Sequence, residues 1–119
     1  MDSESLDLNE VLQRVQNDRE LLIELFNIFF EDCPGKMSNL KSAVQKKDFN
    51  SIRDIAHSMK GASGNISAKK IHNSFFKIEQ MGKNSDLNGI DGLIKDLEEQ
   101  IKELKKITLQ VEQDFKKAA

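Results

Sequence analysis

His57, Lys60, Gly61 and Gly64 are spaced so that their side chains fall along one line of an α-helix. Their types point to chemistry on an anion. A neutral imidazole at His57 is a nucleophile. The ammonium of Lys60, one turn on, would lie beside any anionic group carried by that ring. Gly61 and Gly64 remove bulk from the surface that a partner would have to approach. Glycine inside a helix costs roughly 1 kcal/mol relative to alanine, so two of them beside a histidine call for such a reason.

The helix that must carry these residues is legible around them. Ile52, Ile55, Ala56, Met59, Ser63 and Ile66 recur at spacings of three and four and form a core-facing stripe. His57, Lys60, Gly61 and Gly64 run down its flank, which puts the imidazole at the edge of a core with one side of the ring accessible. Asp48 precedes the first apolar residue, Phe49, and suits an N-cap. Gly64-Asn65 and Ser67 mark the other end, so the helix is expected over about Asp48 to Asn65. A lone histidine on a helix is ordinarily a surface or core-edge residue; the lysine and glycines in register with it set this one apart.

The run Ala56-His57-Ser58-Met59-Lys60-Gly61-Ala62-Ser63-Gly64-Asn65-Ile66-Ser67-Ala68 resembles the signature of histidine-containing phosphotransfer (HPt) domains. That signature reads Ala-His-x-Leu-Lys-Gly, small residues, then an apolar residue and Gly-Ala. Ser67 stands where the family usually has glycine. The resemblance implies that His57 accepts a phosphoryl group, that Lys60 stabilises it, and that Gly61 and Gly64 admit the partner. The implied partner is a response-regulator receiver domain, whose phosphoaspartate and Mg²⁺ site dock against the histidine. A sensor or hybrid histidine kinase would stand upstream. The protein would be a relay with a phosphohistidine intermediate, no cofactor of its own and no independent kinase activity.

One ring nitrogen must attack while the other holds a proton. A group accepting that N–H would fix the tautomer, and Glu79 is the candidate. It follows His57 by 22 residues, a separation that two antiparallel helices and a short turn can close. A Glu or Gln at the matching position often does this in HPt domains. Gln80 is the alternative if the register differs by one. His72 and Phe76 share a flank with Glu79 and are expected to border the site.

Composition narrows the other classes. The 18 basic and 20 acidic residues are well mixed, unlike a nucleic-acid surface, which needs a basic excess on one face. One cysteine, Cys33, and two distant histidines cannot build a thiolate-rich zinc site, so no metal site is expected. Cys33 falls on an apolar stripe and is expected to be a buried free thiol. No phosphate-binding glycine loop occurs. No run of about 18 apolar residues occurs either, and the acidic Met1–Ser5 lacks the regions of a signal peptide. A cytoplasmic monomer, away from membranes, is the expectation.

Periodicities of three and four dominate the whole chain. They predict an all-α antiparallel four-helix bundle with a short extra N-terminal helix, as one domain over residues 1–119 with loose ends at 1–6 and 116–119. The short helix is expected at about Asp7 to Gln16, with Asn17-Asp18 as turn and cap. The second runs from about Arg19 to Lys46 on a stripe of Leu22, Phe26, Phe29, Cys33, Met37, Leu40 and Val44. That stripe keeps phase across Pro34, which favours one kinked helix over two. Its first half also carries Leu21, Ile23, Leu25, Ile28 and Phe30, either a covered flank or an exposed apolar patch. The fourth helix is expected from about Ala68 to Met81, with a break at Gly82–Asp86. The fifth is expected from about Ile90 to Phe115, as a bundle helix or a coiled-coil seam. A non-catalytic helical adaptor is the alternative function that this pattern allows.

Overall fold

Caps and left-handed residues divide the chain into its elements. The computed structural model describes residues 4–118, and among these are five helices and no strand. They are α1 (Leu8–Arg14), α2 (Arg19–Lys46), α3 (Phe49–Asn65), α4 (Lys69–Lys83) and α5 (Ile90–Ala118). Asp7, Asp18 and Asp48 each accept a hydrogen bond from the backbone N–H three residues on, capping α1, α2 and α3. Gln16 and Asn17 adopt φ of 53° and 62°, which stops α1 two residues short of the expected end. Lys47, at φ 54°, closes α2 in the same way.

The four long helices run up and down. Arg19 stacks on Phe115, Lys105 lies over Phe30, and Lys41 pairs with Glu98 at 2.8 Å. Numbers rising on α2 therefore meet numbers falling on α5, so the two are antiparallel. α3 and α4 form a shorter hairpin against them, and Ser74 on α4 donates to Gln100 on α5 at 2.8 Å. Pro34 sits inside an uninterrupted α2. The core joins Leu22, Phe26, Phe29, Cys33 and Leu40 of α2 to Ile52, Ala56 and Met59 of α3, Ile71, Phe75 and Ile78 of α4, and Leu97, Leu104 and Val111 of α5. Ala43 is buried and Val44 only half-buried, a small departure from the expected stripe. α5 spends its apolar face inside this bundle, which accounts for its seam-like spacing.

Three expectations need correction. Ser5 and Leu6 are buried, Leu6 in the core, so the loose end expected over 1–6 does not reach them; residues 1–3 lie outside the described residues. Lys116–Ala118 continue α5, past the expected helix end at Phe115; Ala119 lies outside. Gly82, expected to open a break, is a buried residue within α4. A Cβ there would lie 2.8 Å from the Arg53 nitrogen and 3.0 Å from the Phe49 carbonyl oxygen. The glycine is what lets α4 cross α3 this closely.

α1 closes the α3–α4 turn. Ser67 has φ 57°, a left-handed conformation that glycine adopts without strain. Here a serine takes it, and its position is tied on both sides. The Asp7 N–H donates to the Ser67 carbonyl at 3.0 Å and the Ser67 hydroxyl donates to Glu10 at 2.8 Å. Lys69 lies 2.9 Å from Glu10, and hydrogen bonds from Lys69 first and Ser67 second hold the Glu10 carboxyl below its ordinary range.

Candidate functional site

The α3–α4 hairpin brings His57 and Glu79 together. His57 lies at mid-helix on α3, beside the stripe of Ile52, Ala56, Met59 and Ser63 that faces the core. Its side chain is 69% exposed, whereas that of Glu79 is 4% exposed. Nδ1 and the Glu79 carboxylate oxygen Oε2 are 2.9 Å apart. A carboxylate only accepts, so Nδ1 carries the proton and donates. In the neutral imidazole Nε2 then holds the lone pair; it has no hydrogen-bond partner among the described residues and sits on an exposed ring. Glu79 is therefore the group in register, and Nδ1 bonds to it and not to Gln80, which is half-buried on α4.

Lys60 is not a free cation in this arrangement. Its Nζ lies 2.7 Å from Glu79 Oε1, and its side chain is 23% exposed. At that distance the ammonium satisfies Oε1 as a short, charge-assisted hydrogen bond within an ion pair. Lys60 foremost holds the Glu79 carboxyl below its ordinary value; burial pushes the other way, and the His57 hydrogen bond adds to the lowering. The carboxylate thus stays ionised in a place where an unpaired one would be costly.

Lys83 is a further cation that the sequence reading missed. Its Nζ stands 3.8 Å from Glu79 Oε2. It is four residues after Glu79 on the same helix face, so the ordinary i, i+4 rule could have found it.

The two glycines differ. A Cβ on Gly61 would meet nothing within 4 Å, so no neighbour in the chain requires glycine there. A Cβ on Gly64 would come within 3.2 Å of His72 Nδ1. That same nitrogen donates to the Lys60 carbonyl at 2.9 Å. Gly64 therefore has a reason inside the molecule. Phe76, as expected, borders the site, with Lys60 Nζ 5.3 Å from its ring centroid. Among the described residues no group of three or more His, Cys, Asp or Glu side chains could hold a metal ion. None of the described helices is long and apolar enough to cross a membrane.

Chemically, the arrangement presents an outward-facing imidazole nitrogen, a fixed tautomer and a cation one turn away. Comparison with known proteins points the same way. The family model described as the Hpt domain matches residues 24–107. Histidine-containing phosphotransfer protein 2 of Arabidopsis thaliana is 31% identical over 65 residues, a match covering half of this chain and 42% of that protein. The crystal structure of histidine-containing phosphotransfer protein B (HptB) from Pseudomonas aeruginosa PAO1 superposes with a TM-score of 0.80 at 25% identity, covering 88% of this chain and 92% of that one.

Proposed function

Because the chain belongs to the Hpt domain family, we propose that it is a phosphorelay intermediate that accepts a phosphoryl group on Nε2 of His57 and passes it on. The observation that carries this is the buried Glu79 carboxylate 2.9 Å from Nδ1 of an exposed imidazole. The lone pair on Nε2 attacks the phosphorus of an aspartyl phosphate. The P–O bond to the aspartate breaks, and the aspartate carboxylate leaves with the electron pair. The Nδ1 proton stays on the ring, shared with Glu79, which offsets the positive charge that builds on the imidazole as the N–P bond forms. Lys60 lies close enough to turn towards the phosphoryl oxygens while remaining near Glu79.

The donor and acceptor are response-regulator receiver domains, with a sensor or hybrid histidine kinase upstream. Phosphoryl transfer needs its equatorial charge neutralised, and the receiver supplies the Mg²⁺ for this. The chain itself works without a cofactor, as a cytoplasmic monomer. Gly61 supports the docking, because its flank of α3 beside His57 is open to a close approach.

The test is phosphotransfer from a panel of phosphorylated receiver domains, read by intact mass on the natural chain and on His57→Gln. An acid-labile phosphoryl adduct on the natural chain, absent from the variant, is expected. No adduct from any receiver would leave the adaptor reading, which Leu21 and Ile28, 40% and 60% exposed on α2, would then support.

A further inference from the structure

We infer that Phe76 is a positioning residue for Lys60: its ring holds the lysine ammonium at Glu79, ready for the phosphoryl group, a role that rests on the phosphotransfer reading above. Among the described residues four large apolar side chains are exposed: Leu21, Ile28, Phe76 and Leu109. Leu21 and Ile28 lie on α2 and Leu109 on α5. Phe76, 46% exposed, is the one on the hairpin that carries His57.

Its surroundings show what the ring does there. Lys60 Nζ lies 5.3 Å from the ring centroid, within reach of the attraction between a cation and an aromatic face. Glu79, three residues on along α4, takes the same ammonium at 2.7 Å. The Lys60 side chain is 23% exposed, whereas Lys41, Lys69, Lys83, Lys102 and Lys116, also ion-paired, are 49–75% exposed. His72, four residues before Phe76, fixes the Lys60 carbonyl through Nδ1 at 2.9 Å. One face of α4 thus holds Lys60 at its main chain through His72 and at its ammonium through Phe76 and Glu79. A lysine left on a helix flank samples many rotamers; this one is held in a narrow set beside the imidazole.

The ring acts as an aromatic face, so bulk alone should not replace it. The test compares Phe76→Tyr, Phe76→Leu and Phe76→Ala in the full chain with two readouts. In the first, amine acylation by a succinimidyl ester is followed residue by residue by mass spectrometry. Lys60 should label about two to five times faster in the Leu and Ala variants, the size expected for a lost cation–aromatic contact. The Tyr variant should match the natural chain, and Lys41 should serve as an unchanged control. Unchanged Lys60 labelling in Phe76→Ala would overturn the assignment.

In the second, transfer from a phosphorylated receiver is measured over a range of receiver concentrations. The rate at saturation should fall about two- to five-fold in the Leu and Ala variants and be kept by Tyr. A change confined to the half-saturating concentration would make Phe76 a docking contact and overturn the positioning role. If the natural chain takes up no phosphoryl group, the relay reading fails while the labelling still decides what Phe76 does to Lys60.

Discussion

Glu79 and His57 stand in a fixed relation: a carboxylate with 4% of its side chain exposed accepts, at 2.9 Å, the Nδ1 proton of an imidazole that is 69% exposed. The buried partner is held by cations from two helices, Lys60 and Lys83, and the exposed partner is open to the surface. Orientation of the ring is therefore set from inside the hairpin through Nδ1, and Nε2 is left without a hydrogen-bond partner among the described residues.

Replacing Glu79 tests that relation. Glu79→Gln keeps an oxygen that can accept from Nδ1 but removes the charge, and Glu79→Ala removes both. Transfer to His57 should slow about ten-fold or more in the alanine variant, as for loss of a hydrogen bond to a charged group, and less in the glutamine variant. Stopped-flow phosphotransfer would measure both. Equal rates in the two variants and the natural chain would mean that the tautomer needs no fixing.

The same carboxylate should leave a mark on stability against pH. Its folded-state pKa lies below the ordinary 4.5, with Lys60 as the main cause. The folded state then binds fewer protons than the unfolded chain, so the stabilisation is present above about pH 4.5 and fades as pH falls through the folded-state value. Urea unfolding should show the natural chain more stable than Glu79→Gln at pH 7, with the gap closing in acid. A gap that stays constant down to pH 3 would show that the pairing contributes nothing.

Gly61 and Gly64 should separate docking from packing. A Cβ at Gly61 meets no atom of its own chain, and Gly61→Gln replaces glycine within a helix, so it should raise stability by about 0.5–1 kcal/mol while weakening receiver binding. Gly64→Ala presses on His72 Nδ1 at 3.2 Å and should shift the His72 imidazole resonances as well. Thermal melting with receiver titration would read both effects. Unimpaired binding by Gly61→Gln would remove the steric role.

Gly82→Ala should lower stability by about 1–3 kcal/mol, the range for overpacking, despite the better helix propensity of alanine. The Cβ would lie 2.8 Å and 3.0 Å from backbone atoms of α3, which cannot swing aside as a side chain can. Chemical denaturation would measure it, and a neutral or stabilising effect would mean that the α3–α4 crossing relaxes at little cost.

Much of this protein is decided locally. The helices follow from apolar residues at three- and four-residue spacing and from Asp7, Asp18 and Asp48, whose caps are set by residues three apart. The line of His57, Lys60, Gly61 and Gly64 is local for the same reason, since a single helix puts these residues on one flank. The pairing of His57 with Glu79 was within reach of the sequence too, because an antiparallel hairpin constrains which residues can meet. What needed the tertiary structure was what two surfaces share. Gly82 reads as a helix breaker until α3 is laid against it. Lys60 reads as a free cation until Glu79 and Phe76 from α4 close around it. Leu6 reads as part of a tail until the core receives it. Local rules rank what a residue can do by itself, whereas burial, counter-charge and close approach belong to pairs of elements and exist only once those elements pack.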